Sequence, residues 1–365
     1  LSQKSEIEWT EHTWNPIVGC SIVSPGCTNC YAMRMAARIE ATGNAPHYTG
    51  LTKKVNGNAV WTGKLALAPE ATLTEPLRRK KPTMYFVNSM GDLFHEDCPD
   101  EWIDRVFAVM ALCPQHTFQV LTKRAERMRS YLADEIPRLG GIARTHEIDE
   151  AMDILCHQYE PGPTDADWPL ANVWLGVSCE HQEEADERIP LLLQTPAAVR
   201  FISAEPLLGP IDLLAVAAPE KVEGEDWRFS ALETGDIYYR RIENEFDDRV
   251  MWDSGDGPYR DHALDWAIVG GESGPYARPM HPQWARDIRD QCQAVGVAFF
   301  FKQWGEFEPL GERPSIKYWC GVLNPKWTEI DGFAMYRVGK KAAGRILDGR
   351  EWNEFPNAAK AVEAA

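Results

Sequence analysis

Long apolar runs are missing from this chain: within its 365 residues no stretch approaches the ~18 uninterrupted apolar positions of a membrane-spanning helix. Missing as well is a basic N-terminal segment that leads into an apolar run and a small-residue cleavage site, so the expected compartment is the cytoplasm and no membrane is expected as a partner. Cysteine is sparse for the size. There are nine, an odd number spread thinly, which argues against the disulfide framework of a small secreted domain. Positive charge is also short: 38 Lys and Arg against 55 Asp and Glu leave a formal charge of -17, which disfavours indiscriminate binding to a phosphate backbone. Nucleic acid is then possible as a specific substrate, not as a default partner. Compact HExxH or HxE-plus-paired-cysteine signatures of hydrolytic zinc are absent, as are helix-turn-helix and zinc-finger patterns.

What is present is enough apolar material, 44% of residues, for one large core or two modest domains. Seven short apolar runs recur along the chain, each followed by polar or glycine-rich residues: HTWNPIVG (12-19), TMYFVNSMGD (83-92), TFQVLTKR (117-124), NVWLGVSCE (172-180), VRFISAEPL (199-207), DWAIVGGESG (265-274) and VAFFFKQWG (297-305). Most lack polar and apolar alternation, so they read as strands buried on both faces of a parallel sheet. Segments with apolar spacing near three and four lie between them, at 99-113, 124-131 with ADEIPRL after it, 181-193 and 282-295. The strand and helix alternation predicts an α/β fold, a partial or complete parallel TIM-like barrel, with polar strand ends gathered at one mouth.

Two interruptions need homes. Residues 41-82 form a basic, glycine-rich connector and a predicted helix over 65-79, and residues 212-263, with KVEGEDWRF, GDIYYR, ENEFDDR and SGDGPYR, read as an inserted lobe or loop system. The expected organisation is therefore a barrel over 1-305 carrying both insertions. A small appendage of short strands and turns over 306-365 follows.

The sharpest chemical feature is the run WNPIVGCSIVSPGCTNCYAM, where Cys20, Cys27 and Cys30 are separated by six and then two residues. Three thiolates on one loop can hold three irons of a four-iron cluster, or three positions of a tetrahedral metal, and leave one coordination position open. Cys30 runs directly into YAMRMAARIEA, a predicted helix whose positive end favours anionic sulfur. Gly19 and Gly26 relax the backbone beside two of the ligands, and Pro25 constrains the loop between them. A structural zinc would need a fourth ligand, for which His12 and His47 are the nearby choices, neither at finger spacing. Three clustered cysteines without a fourth favour iron and sulfur.

The segments WNPIVGCSIVSPGCTNCYA, MGDLFHE, FQVLTKR, NVWLGVSCE, RFISAEPLLG, IVGGESG and FFFKQWGEF together resemble the phage Gp37/Gp68 family, whose members look like divergent radical S-adenosylmethionine enzymes. The usual cysteine gaps in such enzymes are three and two, so the first gap here is enlarged while the second is retained. The resemblance implies a [4Fe-4S] cluster on Cys20, Cys27 and Cys30, S-adenosyl-L-methionine as second cofactor, and an electron donor such as flavodoxin or ferredoxin as partner. It also implies a polar loop after the second strand that meets the methionine amino group, a role for Asp92. The alternative for Asp92 is to cap a following helix.

Polar residues at the other strand ends complete the expectation. Lys123 and Arg124 can meet an anionic group or begin the next helix as surface cations. Ser178 with Glu180, and Ser203 with Glu205, fall at equivalent strand ends and can fix ribose hydroxyls and the adenine amine. Gly270, Gly271, Glu272 and Ser273 form a turn suited to close ligand approach, although it lacks the lysine of a nucleotide triphosphate loop. At the last strand Lys302 can hold a carboxylate or phosphate, Gln303 an amide or base edge, and Trp304 can stack or simply pack. Lys302, Glu205 and Lys123 are the candidates to face substrate. Within such chemistry the substrate class is open between nucleic-acid repair or modification and modification of a peptide or small molecule, and a noncatalytic, metal-stabilised interaction protein is the alternative.

Overall fold

Seven parallel strands flanked by helices build the main layer of the protein, seen in a computed structural model that describes residues 3-133, 144-159, 166-218, 227-243, 250-260, 262-309 and 326-356. This is the α/β architecture of a partial TIM-like barrel, and all seven strand expectations fall on strands. We label the strands of this sheet β1 (Gln3–Lys4), β2 (His12–Trp14), β3 (Met84–Val87), β4 (Thr117–Thr122), β5 (Val173–Ser178), β6 (Val199–Ala204), β7 (Trp266–Gly270) and β8 (Ala298–Gln303). Every residue of β5, β6 and β7 is buried, which is why these runs carry no alternation. The chain divides into two compact units, Leu1–Val177 with Gln194–Arg200, and Ser178–Leu193 with Phe201–Pro356.

In the first unit β2, β3, β4 and β5 pair in parallel and in that order, with β1 antiparallel on β2. Helices α1 (Tyr31–Thr42), α2 (Asp100–Ala111), α3 (Ala125–Leu132) and α4 (Thr145–Tyr159) accompany them. The predicted helix over 65-79 does not form as one piece. Pro69 and Pro76 cut it, leaving a short strand Ala66–Leu67, which pairs antiparallel with Ile17–Val18, and two single turns, Glu70–Leu73 and Glu75–Arg78. Residues 134-139 of ADEIPRL lie outside the described residues.

In the second unit β6, β7 and β8 pair in parallel, and α5 (Gln182–Leu193) and α6 (Pro282–Val295) flank them. Gly296, in the left-handed region at φ 75°, ends α6. The segment expected as an inserted lobe or loop system contains a four-stranded antiparallel sheet made of Val216–Ala217, Trp227–Phe229, Gly235–Glu243 and Val250–Arg260. Most of ENEFDDR lies outside the described residues. The C-terminal region contributes a three-stranded antiparallel sheet of Phe307–Pro309, Trp327–Ile330 and Phe333–Arg337, while KYWCGV lies outside the described residues. Among the described residues no helix is long and apolar enough to cross a membrane.

Candidate metal centre and strand-end cluster

The sequence-predicted residues divide between the two units. In the first, the cysteine loop leaves the short strand Ile17–Val18 at Gly19, whose φ of 101° and close fit both demand glycine: a Cβ there would stand 2.1 Å from the Lys64 carbonyl oxygen. Gly19 N donates to Met90 O at 3.0 Å, and Gly91 forms a parallel bridge with Gly19, so the loop entry is tied to the turn after β3. That turn is itself braced. Asn15 Oδ1 accepts from Ser89 Oγ and Met90 N, and Ser89 O accepts from Tyr31 Oη. Asn88, at φ 58°, accepts from Ile17 N through its side-chain oxygen.

Cys27 closes a 3-10 turn, Pro25–Cys27, and Cys30 occupies the N-cap position of α1. Burial pushes the Cys20 thiol up to about 12, reinforced by the Asp92 carboxylate and by Cys27 and Cys30 and opposed by Arg124. Burial likewise raises Cys30, against the N–H groups of Ala32 and Met33 at the helix start and the Lys123 ammonium. The mutual influence of the three thiols places them in one neighbourhood. The other described cysteines, Cys98, Cys113, Cys156, Cys179 and Cys292, form no disulfide.

Beside the loop stands a nearly buried guanidinium. Arg124 directs Nη1 to Asp92 Oδ2 at 2.9 Å, Nε to Glu96 at 2.9 and 3.0 Å, Nη2 to Ser21 Oγ at 2.6 Å, and Nη1 also to Cys20 Sγ at 3.7 Å. Asp92 is filled by protein donors: Oδ1 accepts from Thr122 Oγ1 and Phe94 N, Oδ2 from Arg124 and Lys123 N. Its place is therefore that of an anchor for Arg124, and Pro99, not Asp92, stands at the N-cap position of α2, with no side-chain cap bond. His95 Nε2 lies 2.9 Å from Ser21 Oγ. Burial and Arg124 together lower the His95 pKa, so the ring is neutral near pH 7. The sequence marks Arg124 only as one of a pair of cations; its hold on the cysteine loop needs the strand order that brings β4 beside β3, and no spacing rule contains that.

His12 packs near Tyr85 and His47 near Tyr48. Among the described residues no group of three or more His, Cys, Asp or Glu side chains is arranged to hold a metal ion. A four-iron cluster spreads its thiolates over separate irons and does not ask three sulfurs to surround one ion. Three thiols from one loop, a guanidinium at one of them and a helix start at another fit a cluster of that kind as a donor set.

In the second unit the ends of β6, β7 and β8 gather a second group. Lys302 Nζ stands 3.2 and 3.3 Å from the two oxygens of Glu205, and Ser203 Oγ donates to Glu205 at 3.3 Å. Gly270 makes room for this carboxylate, because a Cβ would come within 2.4 Å of Glu205 Oε1. Gln303 Nε2 donates to Gly271 O and Ser273 Oγ, each at 3.2 Å. Glu272 is taken by Arg278 in a two-pronged pair at 2.7 and 2.9 Å. Glu180 is wholly buried against Arg188 at 3.1 Å, and the same guanidinium holds the Ser178 carbonyl at 2.7 Å. Trp304 faces inward and donates to Ile346 O at 2.7 Å. Lys302, Glu205 and Ser203 thus come together, and Gln303 meets Ser273, while Glu180 and Glu272 each meet an arginine that sequence spacing does not pair with them.

No curated protein and no solved structure matches this chain. Over residues 4–356 it matches the family described as "Protein of unknown function (DUF5131)", and the chain is a member of that family.

Proposed function

We propose that this protein is a radical S-adenosylmethionine enzyme acting on nucleic acid. The observation that carries the reading is the cysteine loop: three thiols within eleven residues, with Arg124 at Cys20 and the start of α1 at Cys30 to offset the charge of bound sulfur. Cys20, Cys27 and Cys30 would hold a four-iron cluster. When bound, such a cluster with one open iron takes the amino and carboxylate groups of S-adenosylmethionine and supplies the electron that cleaves it to methionine and a 5'-deoxyadenosyl radical. The tie between Gly19 and the turn Asn88–Gly91 fixes the loop, and burial of Asn88 and Met90 within that turn limits water beside it. Lys302 and Glu205, a paired cation and carboxylate at strand ends, are suited to receiving polar groups of a cofactor or substrate. A low-potential carrier such as flavodoxin or ferredoxin is the partner this chemistry requires.

A local excess of positive charge supports the substrate class. Residues 31-81 carry nine Lys and Arg against three acidic residues, in a chain whose total is -17. Arg34, Arg38, Lys53, Lys54 and Lys64 form no ion pairs among the described residues. Arg34 and Arg38 share one face of α1 with Tyr31 and Met35, which are 48% and 41% exposed, so cations and an aromatic ring lie on the helix that begins at Cys30.

Anaerobic reconstitution tests the reading. The expected result is brown protein with about four iron and four sulfide per chain, which forms 5'-deoxyadenosine from S-adenosylmethionine under strong reductant. Colourless protein holding one zinc, or a full cluster that yields no deoxyadenosine, would overturn it in favour of a metal-stabilised interaction protein. For the substrate class, a single-stranded oligonucleotide should bind with an affinity that falls steeply with salt, and the fourfold change R34A, R38A, K53A and K54A should weaken it at least tenfold; equal affinity would remove nucleic acid from the proposal.

A further inference from the structure

Ser21 follows the first cysteine, and its hydroxyl oxygen is the meeting point of two donors. Arg124 Nη2 reaches it at 2.6 Å and His95 Nε2 at 2.9 Å. The direction of the histidine contact is settled at the other ring nitrogen. His95 Nδ1 accepts from Asp97 N–H at 3.1 Å, so in the neutral ring the proton is on Nε2 and points at Ser21. A hydroxyl offers two lone pairs and one proton. With both lone pairs filled by Arg124 and His95, what Ser21 has left to offer is its proton.

The guanidinium that supplies one of these bonds is held on three other sides. Asp92, itself filled by Thr122, Phe94 and Lys123, fixes Nη1, and Glu96 fixes Nε. Nη1 then also faces Cys20 Sγ at 3.7 Å. Such a locked arrangement costs little to hold once folded, because each group has its partner and Arg124 retains only 4% of its side-chain exposure.

We propose that Asp92, Arg124, His95 and Ser21 act as positioning residues for the metal-binding loop, keeping Arg124 N–H and Ser21 O–H available as donors to sulfur at the Cys20 corner. Donors to cluster sulfur stabilise the more negative, reduced form and make the group easier to reduce. This inference rests on the reading of the loop as a cluster site.

The test compares the wild-type chain with Ser21→Ala, Ser21→Thr and Arg124→Gln after anaerobic reconstitution, reading iron content and then the cluster's midpoint potential by a redox titration followed with electron paramagnetic resonance. Ser21→Ala should keep its iron and become harder to reduce by on the order of tenfold in the reduction equilibrium, ~59 mV for one electron. Ser21→Thr, which restores the hydroxyl, should return the wild-type potential. Arg124→Gln should shift the potential in the same direction or lose iron. Wild-type protein that acquires no cluster overturns the reading of the loop, and this inference with it. A wild-type cluster whose potential is unchanged in Ser21→Ala overturns the inference alone, and the two Ser21 variants decide the matter even where Arg124→Gln does not fold.

Discussion

At Glu180 the chain buries a carboxylate completely, and the Arg188 guanidinium at 3.1 Å is what makes that tolerable. Removing one charge strands the other. Glu180→Gln is therefore expected to destabilise the protein by about 3 kcal/mol, measured by denaturant unfolding, while Glu180→Gln combined with Arg188→Met should recover part of the loss in a double-mutant cycle. Its effect on iron content should be small, which separates it from the cysteine loop. There, replacing Cys20, Cys27 or Cys30 with alanine should remove most bound iron after reconstitution, whereas Cys98→Ala, Cys113→Ala, Cys156→Ala, Cys179→Ala and Cys292→Ala should not, because these five are scattered along the sequence outside the clustered run. Retention of a complete cluster in Cys27→Ala would reject its role as a ligand. Residue identity points to the cysteines from spacing alone. It cannot show that Asp92 and Glu272 are already engaged by Arg124 and Arg278, since those partners depend on which turns the fold brings together.

The elements are legible wherever a single physical rule dominates. Strands β5, β6 and β7 are apolar throughout because both faces are covered, and 282-295 is readable as a helix from its apolar spacing and coincides with Pro282–Val295. The 65-79 segment misleads because its apolar spacing masks the effect of Pro69 and Pro76, each of which stands at the start of a separate single turn. The antiparallel sheet around Gly235–Glu243 and Val250–Arg260 is hidden by its polar composition: a sheet that need not bury both faces gives a weak sequence signal. Glycines at element ends make the next prediction. A Cβ at Gly271 would lie 2.1 Å from the Trp304 carbonyl oxygen, a backbone atom that cannot swing away, whereas at Gly296 nothing lies within 4 Å and the obstacle is the φ of 75°. Gly271→Ala should accordingly cost about 1–3 kcal/mol or more through forced backbone movement, and Gly296→Ala about 1 kcal/mol through its left-handed backbone. Denaturant midpoints of the two variants check the order; a smaller loss at Gly271 would show that the β7 and β8 ends yield easily.

Across the whole molecule, stability should fall as pH drops from neutral, and histidine should set the first stage of that fall. His116, 1% exposed in the first unit, has its pKa lowered from 6.5 by burial, against the carbonyls of Pro76 and Arg79, and His281 in the second unit is lowered by burial as well. His281 also accepts from Gln283 N at the start of α6, a bond that protonation of its Nδ1 abolishes. A histidine whose folded pKa lies below its unfolded value binds fewer protons when folded, so its stabilising effect is complete above about pH 6.5 and is lost as pH falls from there towards the folded value. The carboxylates act later. Asp348 is lowered from 3.8 despite burial, by hydrogen bonds from Arg289 and Arg286, and Glu96 is lowered from 4.5, against burial, by its own backbone N–H and by Arg124. Depressed carboxylates support folding above their unfolded values and fail as pH drops through the folded ones, so their losses begin below about pH 4.5. The interval between roughly pH 6.5 and 4.5 therefore belongs to histidine. Thermal midpoints recorded across it should decline in the wild type, and His116→Gln and His281→Asn should each flatten the decline even where they lower the midpoint at pH 7. A slope unchanged in both variants would show that these two rings do not govern it.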